Sequence, residues 1–352
     1  GARVGYWDVV VTNTDGQSGT LEKGFFVRYP AAPFVLAIEP AFAPNDGPVS
    51  ITNLSGTGFH DNATVKLARA SHSDINATGV HVVDSGKITC TFDLAGAEPG
   101  KWDVVVANDD GQSGSLPGGF EVRYPAPTVT GITPGKGNNN QIVSITDLAG
   151  SNFRSGATVK LVRASHPDIN ATDVHVVDSG KITCSINLNG MDVGDWDVVV
   201  TNTDGQSGSL ENGFTIEYPN PVVTSITPNS GANDGPLQIT AVKGNYFRED
   251  ATVKLTKTGL APIEATGVHV INATTLNCTV DLAGRTTGQW DVVVTNTDGK
   301  TGTLSKGFQV LPPPPVPDFS ASPVYGTVPL AVRFTDLSMN NPTAWIWDFG
   351  DG

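Results

Sequence analysis

The chain has only three cysteines and two methionines in 352 residues, and only 16% of its residues are charged. Each shortage excludes something. Cysteines this sparse cannot staple a small scaffold with disulfides, and charge this low rules out a charged coiled coil. No apolar run approaches the ~20 residues that a membrane-spanning helix needs. No stretch of ten or more residues keeps helical spacing, and no basic-then-apolar leader opens the chain. The first residue is Gly1 rather than methionine, as expected of a processed product or a window of a longer protein. Basic residues are outnumbered 21 to 35, for a net charge of −14. That field repels phosphate backbones and anionic lipid, so neither nucleic acid nor a membrane is an expected partner.

What the chain has in quantity is glycine and proline, 40 and 24 residues. The glycines follow no three-residue period, so the chain is not collagen. An apolar content of 38%, carried in short β-branched runs, is too high for a disordered chain. The composition is that of a globular, β-rich protein, and the length allows two or three domains at about 150 residues each.

Self-similarity sharpens this. Trp-Asp-Val-Val-Val occurs at Trp7, Trp102, Trp196 and Trp290, in steps of 95, 94 and 94 residues, and Cys90, Cys184 and Cys278 keep a step of 94, as do His81, His175 and His269. A period this long exceeds a solenoid turn and suits a self-contained sandwich of about 100 residues. Within a unit the pattern alternates: Val65 and Leu67 flank Lys66, and Ile88, Cys90 and Phe92 are separated by threonines. Such alternation marks strands with one face in a core. Each tryptophan strand runs into an Asp-Gly turn, at Asp15, Asp110, Asp204 and Asp298, which signals a hairpin. All strands are expected to be antiparallel. Tyr29-Pro30, Tyr124-Pro125 and Tyr218-Pro219 close the units. Proline fixes φ, so these joints are expected to be short and stiff and the array rod-like.

These residues carry a resemblance. Residues 31–124, 125–219 and 220–311 are similar to IPT/TIG domains of the immunoglobulin-like superfamily. The likeness lies in Ile132-Thr-Pro134, Gly150-Ser-Asn-Phe153, Ile182-Thr-Cys184, Val198-Val-Val-Thr-Asn202 with Asp204-Gly205, and Phe214 before Tyr218. Residues 1–30 resemble the last third of another such domain. After a proline-rich linker at 312–317, residues 318–352 resemble the first half of a PKD domain, through Phe319-Ser-Ala-Ser-Pro323, Pro329-Leu-Ala-Val-Arg-Phe334 and Trp347-Asp-Phe-Gly-Asp-Gly352. The resemblance implies an all-β tandem array of immunoglobulin-like sandwiches, of the kind found in modular surface proteins of archaea, methanogens especially, and bacteria. Its incomplete ends are expected to continue in the same longer chain, or to be completed by a neighbouring molecule through strand addition.

Candidate sites reduce to structure under inspection. Trp102, Trp196 and Trp290 open core strands and are expected to be structural, as is Trp347 in the tail. Alternation turns Cys90, Cys184 and Cys278 inward as small buried hydrophobes. His72 with His81 and His166 with His175 invite a metal pair, but the third unit has Leu260 at the first position. The Asp-Gly turns lack the carboxylate spacing of a calcium loop, and turn chemistry accounts for them. No metal or other cofactor is expected, calcium having no specific motif behind it. No nucleophile elbow, zinc helix or phosphate loop appears, so no catalysis is expected. Asn-x-Ser/Thr sequons stand at Asn53, Asn62, Asn76, Asn170, Asn272 and Asn277. Those at Asn76 and Asn170 are expected in a loop before a strand, open to a glycan.

The functional expectation is an extracellular or cell-surface protein whose work is structural or adhesive, a stiff spacer or a subunit of a surface layer, sheath or filament. Its expected partners are further copies of itself, other surface proteins, or cell-wall or extracellular polysaccharide. The alternative is a polysaccharide-binding or spacer region of a larger secreted enzyme.

Overall fold

A computed structural model describes residues 3–27 and 31–348. Among them every regular element is a strand, so no helix is long and apolar enough to cross a membrane. The chain divides into two compact units. One holds residues 1–128, 150–155 and 201–208, and the other holds 129–149, 156–200 and 209–352.

In the first unit a hairpin of β1 (Gly5–Thr12) and β2 (Ser18–Val27) precedes nine strands. These are β3 (Phe34–Glu39), β4 (Phe42–Pro44), β5 (Pro48–Thr57), β6 (Thr64–Ala68), β7 (Ile75–Asn76), β8 (Thr78–Asp84), β9 (Lys87–Asp93), β10 (Gly100–Ala107) and β11 (Ser113–Arg123). They form two sheets, ordered β3-β5-β9-β8 and β4-β11-β10-β6-β7. Successive side chains on a strand point to opposite faces. Val65 and Leu67, Ile88, Cys90 and Phe92, and Trp102, Val104 and Val106 are therefore buried together. The core they make draws only on residues from Val35 to Val122. Each such side chain contributes about 1.5–3 kcal/mol on burial.

One expectation needs correction. The strands are not all antiparallel: Phe42–Pro44 runs parallel to Glu121–Arg123, and the later repeats do the same at Lys136–Asn138 and Ser230–Ala232. After Pro40 the chain leaves the edge of one sheet and joins the other beside its last strand. Parallel pairing is the outcome because β3 and β4 keep one direction across the crossing.

The aspartate of Trp-Asp-Val-Val-Val has a local task. The ladder slips between Trp102 and Val104, and Gly118, opposite, takes a positive φ of 58°. Asp103 Oδ1 accepts the Gly118 N–H at 2.7 Å, as Asp8 does from Lys23 at 2.7 Å, Asp197 from Asn212 at 2.7 Å and Asp291 from Lys306 at 2.6 Å. A bulge strips a ladder partner, and the carboxylate replaces it. The hairpin β1–β2 keeps this register, with Trp7 opposite Phe25 as Trp102 is opposite Phe120. Its apolar residues are nevertheless open: Trp7 is 45% exposed where Trp102 is 2%.

The later strands are β12 (Thr128–Thr133), β13 (Lys136–Asn138), β14 (Ile142–Ser151), β15 (Thr158–Val162), β16 (Ile169–Asn170), β17 (Thr172–Asp178), β18 (Lys181–Asn187), β19 (Gly194–Thr201) and β20 (Ser207–Glu217). After them come β21 (Val222–Thr227), β22 (Ser230–Ala232), β23 (Pro236–Asn245), β24 (Thr252–Thr256), β25 (Ile263–Asn272), β26 (Thr275–Asp281), β27 (Gly288–Thr295) and β28 (Thr301–Leu311). Strands β12–β20 repeat the order of the first sandwich. In the last repeat β25 runs unbroken, pairing first with β24 and then with β26, so both sheets join into one of eight strands. Its core draws on residues from Val223 to Val310.

The tail forms a two-stranded sheet, β29 (Phe319–Ser322) with β30 (Arg333–Asp336). Trp347, expected in a core, is 40% exposed. It packs edge-on against Phe319 at 5.4 Å and tilted against Phe334 at 5.5 Å. Among the described residues β29 and β30 form a sheet of two strands, and the cluster lies on it partly open.

Candidate functional site

The functional geometry lies where one repeat meets the next, and it is assembled from the Asn-x-Asp-Gly turn. In Asn202-Thr-Asp-Gly205 the glycine takes φ 85°, a value that favours residues without a Cβ. Asn202 is buried. Its Nδ2 donates to the Asn152 carbonyl at 2.8 Å, and its Oδ1 accepts the Arg154 N–H at 3.1 Å. A buried amide that satisfies two partly buried backbone groups holds two loops together. Asn108 and Asn296 repeat the arrangement at His60 and Arg248.

The paired loops make a socket for a tyrosine of the preceding repeat. Arg154 lays its guanidinium 3.3 Å from the Tyr124 ring centroid, and Gln206 Nε2 donates to the Tyr124 carbonyl at 2.7 Å. Asp204 accepts from the backbone and side chain of Gln206 at 3.1 Å each, which aims the amide. An open cleft of about 440 Å³ lies alongside, between Pro99, Glu121, Tyr124, Asp204 and Gln206. Within the second unit the same socket recurs at Tyr218, with Arg248 3.8 Å from the ring centroid and Lys300 donating to the Tyr218 carbonyl. At the first repeat the corresponding loop residue is His60, whose Nδ1 lies 2.9 Å from Asp109. The joint at Tyr29-Pro30 falls outside the described residues.

The residues singled out from the sequence lie elsewhere. Trp102, Trp196 and Trp290 are buried; each indole N–H donates to a carbonyl four residues earlier, at 3.0–3.2 Å. A cation covers each one, Arg69, Arg163 or Lys257, at 5.9–6.0 Å. Cys90, Cys184 and Cys278 are buried thiols. Burial pushes the Cys90 thiol up to about 12 and those of Cys184 and Cys278 up to about 11, so thiolate is scarce at neutral pH. His72 and His166 pack edge-on against Trp102 and Trp196, while His81 and His175 are exposed. Among the described residues no group of three or more His, Cys, Asp or Glu gathers to hold a metal ion.

Of the sequons, Asn62, Asn76, Asn170 and Asn272 are exposed, and Asn53 is half-buried on β5. Asn76 and Asn170 sit in the two-residue strands β7 and β16 rather than in a loop, since each pairs with the strand before it. Asn272 Oδ1 accepts from the Thr274 N–H at 2.9 Å and its hydroxyl at 2.8 Å.

Sequence reasoning placed the joints at the Tyr-Pro pairs and missed the residues that grip them. The available signal was the recurrence of Arg154 as Arg248, 94 residues on, in loops with no other reason for a cation.

Residues 221–310 match the family model for the IPT/TIG domain, so the chain contains one. No curated protein matches it. Similar solved structures include an I-band fragment from titin, at 14% identity over 78% of this chain and 96% of that one, TM-score 0.36. The N-terminal eight Ig domains of Down Syndrome Cell Adhesion Molecule match at 13% identity over 86% and 46%, TM-score 0.28. A Bacteroides ovatus mixed-linkage glucan utilization locus SGBP-B, in complex with mixed-linkage heptasaccharide, matches at 15% identity over 82% and 72%, TM-score 0.22. The chain is an all-β tandem of immunoglobulin-like sandwiches.

Proposed function

We propose that the chain is a stiff extracellular spacer of a cell-surface protein, built from sandwiches at residues 31–124, 125–219 and 220–311. The last third of a further IPT/TIG-like domain, residues 1–30, lies ahead of them, and the first half of a PKD-like module, residues 318–352, lies behind. Its work is structural and adhesive: it sets a distance and repeats the same surface along an axis. With sandwiches of roughly 35–45 Å, three units span on the order of 100 Å. The partners are other surface proteins, further copies of the chain, or extracellular polysaccharide. The exposed sequons Asn76 and Asn170 are the places for glycans.

The observation that carries this reading is the repeated socket. Tyr124 and Tyr218 are each held by a guanidinium over the ring and a donor on the carbonyl. A freely jointed chain has no use for such grips, whereas a spacer that must keep its length does. Small-angle scattering tests it: an extended particle with a maximum dimension of roughly 100 Å or more is expected, and a compact, isotropic profile overturns it.

A further inference from the structure

The two sockets share a ring clamp and differ in charge. At the first, Arg123 is satisfied within its own strand, its Nη2 lying 2.8 Å from Glu121 Oε2. Only the neutral amide of Gln206 and the guanidinium of Arg154 reach Tyr124, and among the described residues no ion pair crosses this joint. At the second, Glu217 stands where Arg123 stood and Lys300 where Gln206 stood. Lys300 Nζ lies 2.8 Å from Glu217 Oε2, across the joint. The other oxygen, Oε1, lies 3.2 Å from Lys136 Nζ on the parallel strand of Glu217's own sandwich. Arg248, over the ring, is tied to Asp298 of the turn at 3.3 Å. The carboxylate is thus shared between a lysine behind the joint and a lysine ahead of it.

We propose that the Tyr218 joint is an ionic latch and the Tyr124 joint a neutral one, so that loss of charge loosens the third sandwich from the second and leaves the contacts of the Tyr124 socket unaffected. The backbone hydrogen bonds and ring stacks are common to both sockets, so the Glu217–Lys300 pair is what distinguishes them. Partly exposed pairs of this kind are worth a fraction of a kcal/mol to about 1 kcal/mol. That is a two- to fivefold change in the population of the loosened joint. Salt acts in the same direction, since the Debye length falls from about 10 Å at 0.1 M to about 3 Å at 1 M. The inference concerns the joint alone and stands whatever surface the chain serves.

The test uses the full chain, with residual dipolar couplings read separately for each sandwich. In wild type at low salt, residues 125–219 and 220–311 are expected to share one alignment tensor. Lys300→Gln is expected to shrink the third sandwich's tensor and leave the relation between the first two unchanged. Lys300→Arg, which keeps both the charge facing Glu217 and a donor for the Tyr218 carbonyl, is expected to keep the shared tensor. A third sandwich unmoved by Lys300→Gln, a first joint that responds equally, or a Lys300→Arg variant as loose as Lys300→Gln overturns the proposal. Should a variant fail to fold, the wild-type response to 1 M salt decides, and an equal response at both joints overturns it likewise.

Discussion

Arg154 covers Tyr124, its guanidinium carbon 3.3 Å from the ring centroid, although the two residues belong to different repeats. A cation on an aromatic face is worth about 0.5–2 kcal/mol, more as water is excluded. A double-mutant cycle of Tyr124→Ala and Arg154→Ala, read by urea unfolding of the full chain, is therefore expected to return a coupling of about 0.5–2 kcal/mol. A coupling near zero would mean that the contact holds nothing.

Asn202→Ala is expected to cost more than Arg154→Ala. The substitution leaves the Arg154 N–H and the Asn152 carbonyl without their partner in a partly buried place, a loss of up to about 1–3 kcal/mol for each group left unsatisfied. The midpoint of chemical denaturation is the measure, and a smaller loss than that of Arg154→Ala contradicts the pinning role.

Acid should act at Glu217. The hydrogen bond from Lys300, then that from Lys136, holds its carboxyl below the usual carboxylate range. A depressed folded-state value means that the stabilisation is present above the unfolded-state value, about 4.5, and is lost as pH falls through the folded one. Stability measured from pH 7 down to pH 3 is expected to fall less steeply in Glu217→Gln than in wild type. Parallel curves would refute it.

The three thiols should be inert while the protein is folded. With values of about 11–12, a native sample at pH 8 is expected to take up a thiol-specific reagent at none of the three positions, and a denatured sample at all three. Rapid native labelling of Cys184 would show that its sandwich opens.

Gly208 sits against the Pro127 carbonyl, so closely that a Cβ there would collide with backbone. Overpacking of this kind costs about 1–3 kcal/mol. Gly208→Ala is expected to lower the thermal midpoint, whereas Gly205→Ala, in open space but at positive φ, acts through backbone strain alone.

Strands, period and inward faces follow from local pattern. Alternation at Val65 and Leu67, or at Ile88, Cys90 and Phe92, is a property of neighbours two residues apart and is legible without coordinates. The expectation of joints at the Tyr-Pro pairs rests on the same kind of local signal, since proline constrains its own φ. The parallel pairing of β4 with β11, the buried role of Asn202 and the grip on Tyr124 arise once the sheets close. Gln206 meets Tyr124 across 82 residues, and Phe42 meets Glu121 across a sheet crossing. Such contacts depend on how two sheets close over a core, and no spacing within a strand encodes that. Trp347 makes the same point in reverse: its motif promised a core, yet it is 40% exposed beside β29 and β30, because covering a ring takes a second layer that no local pattern encodes.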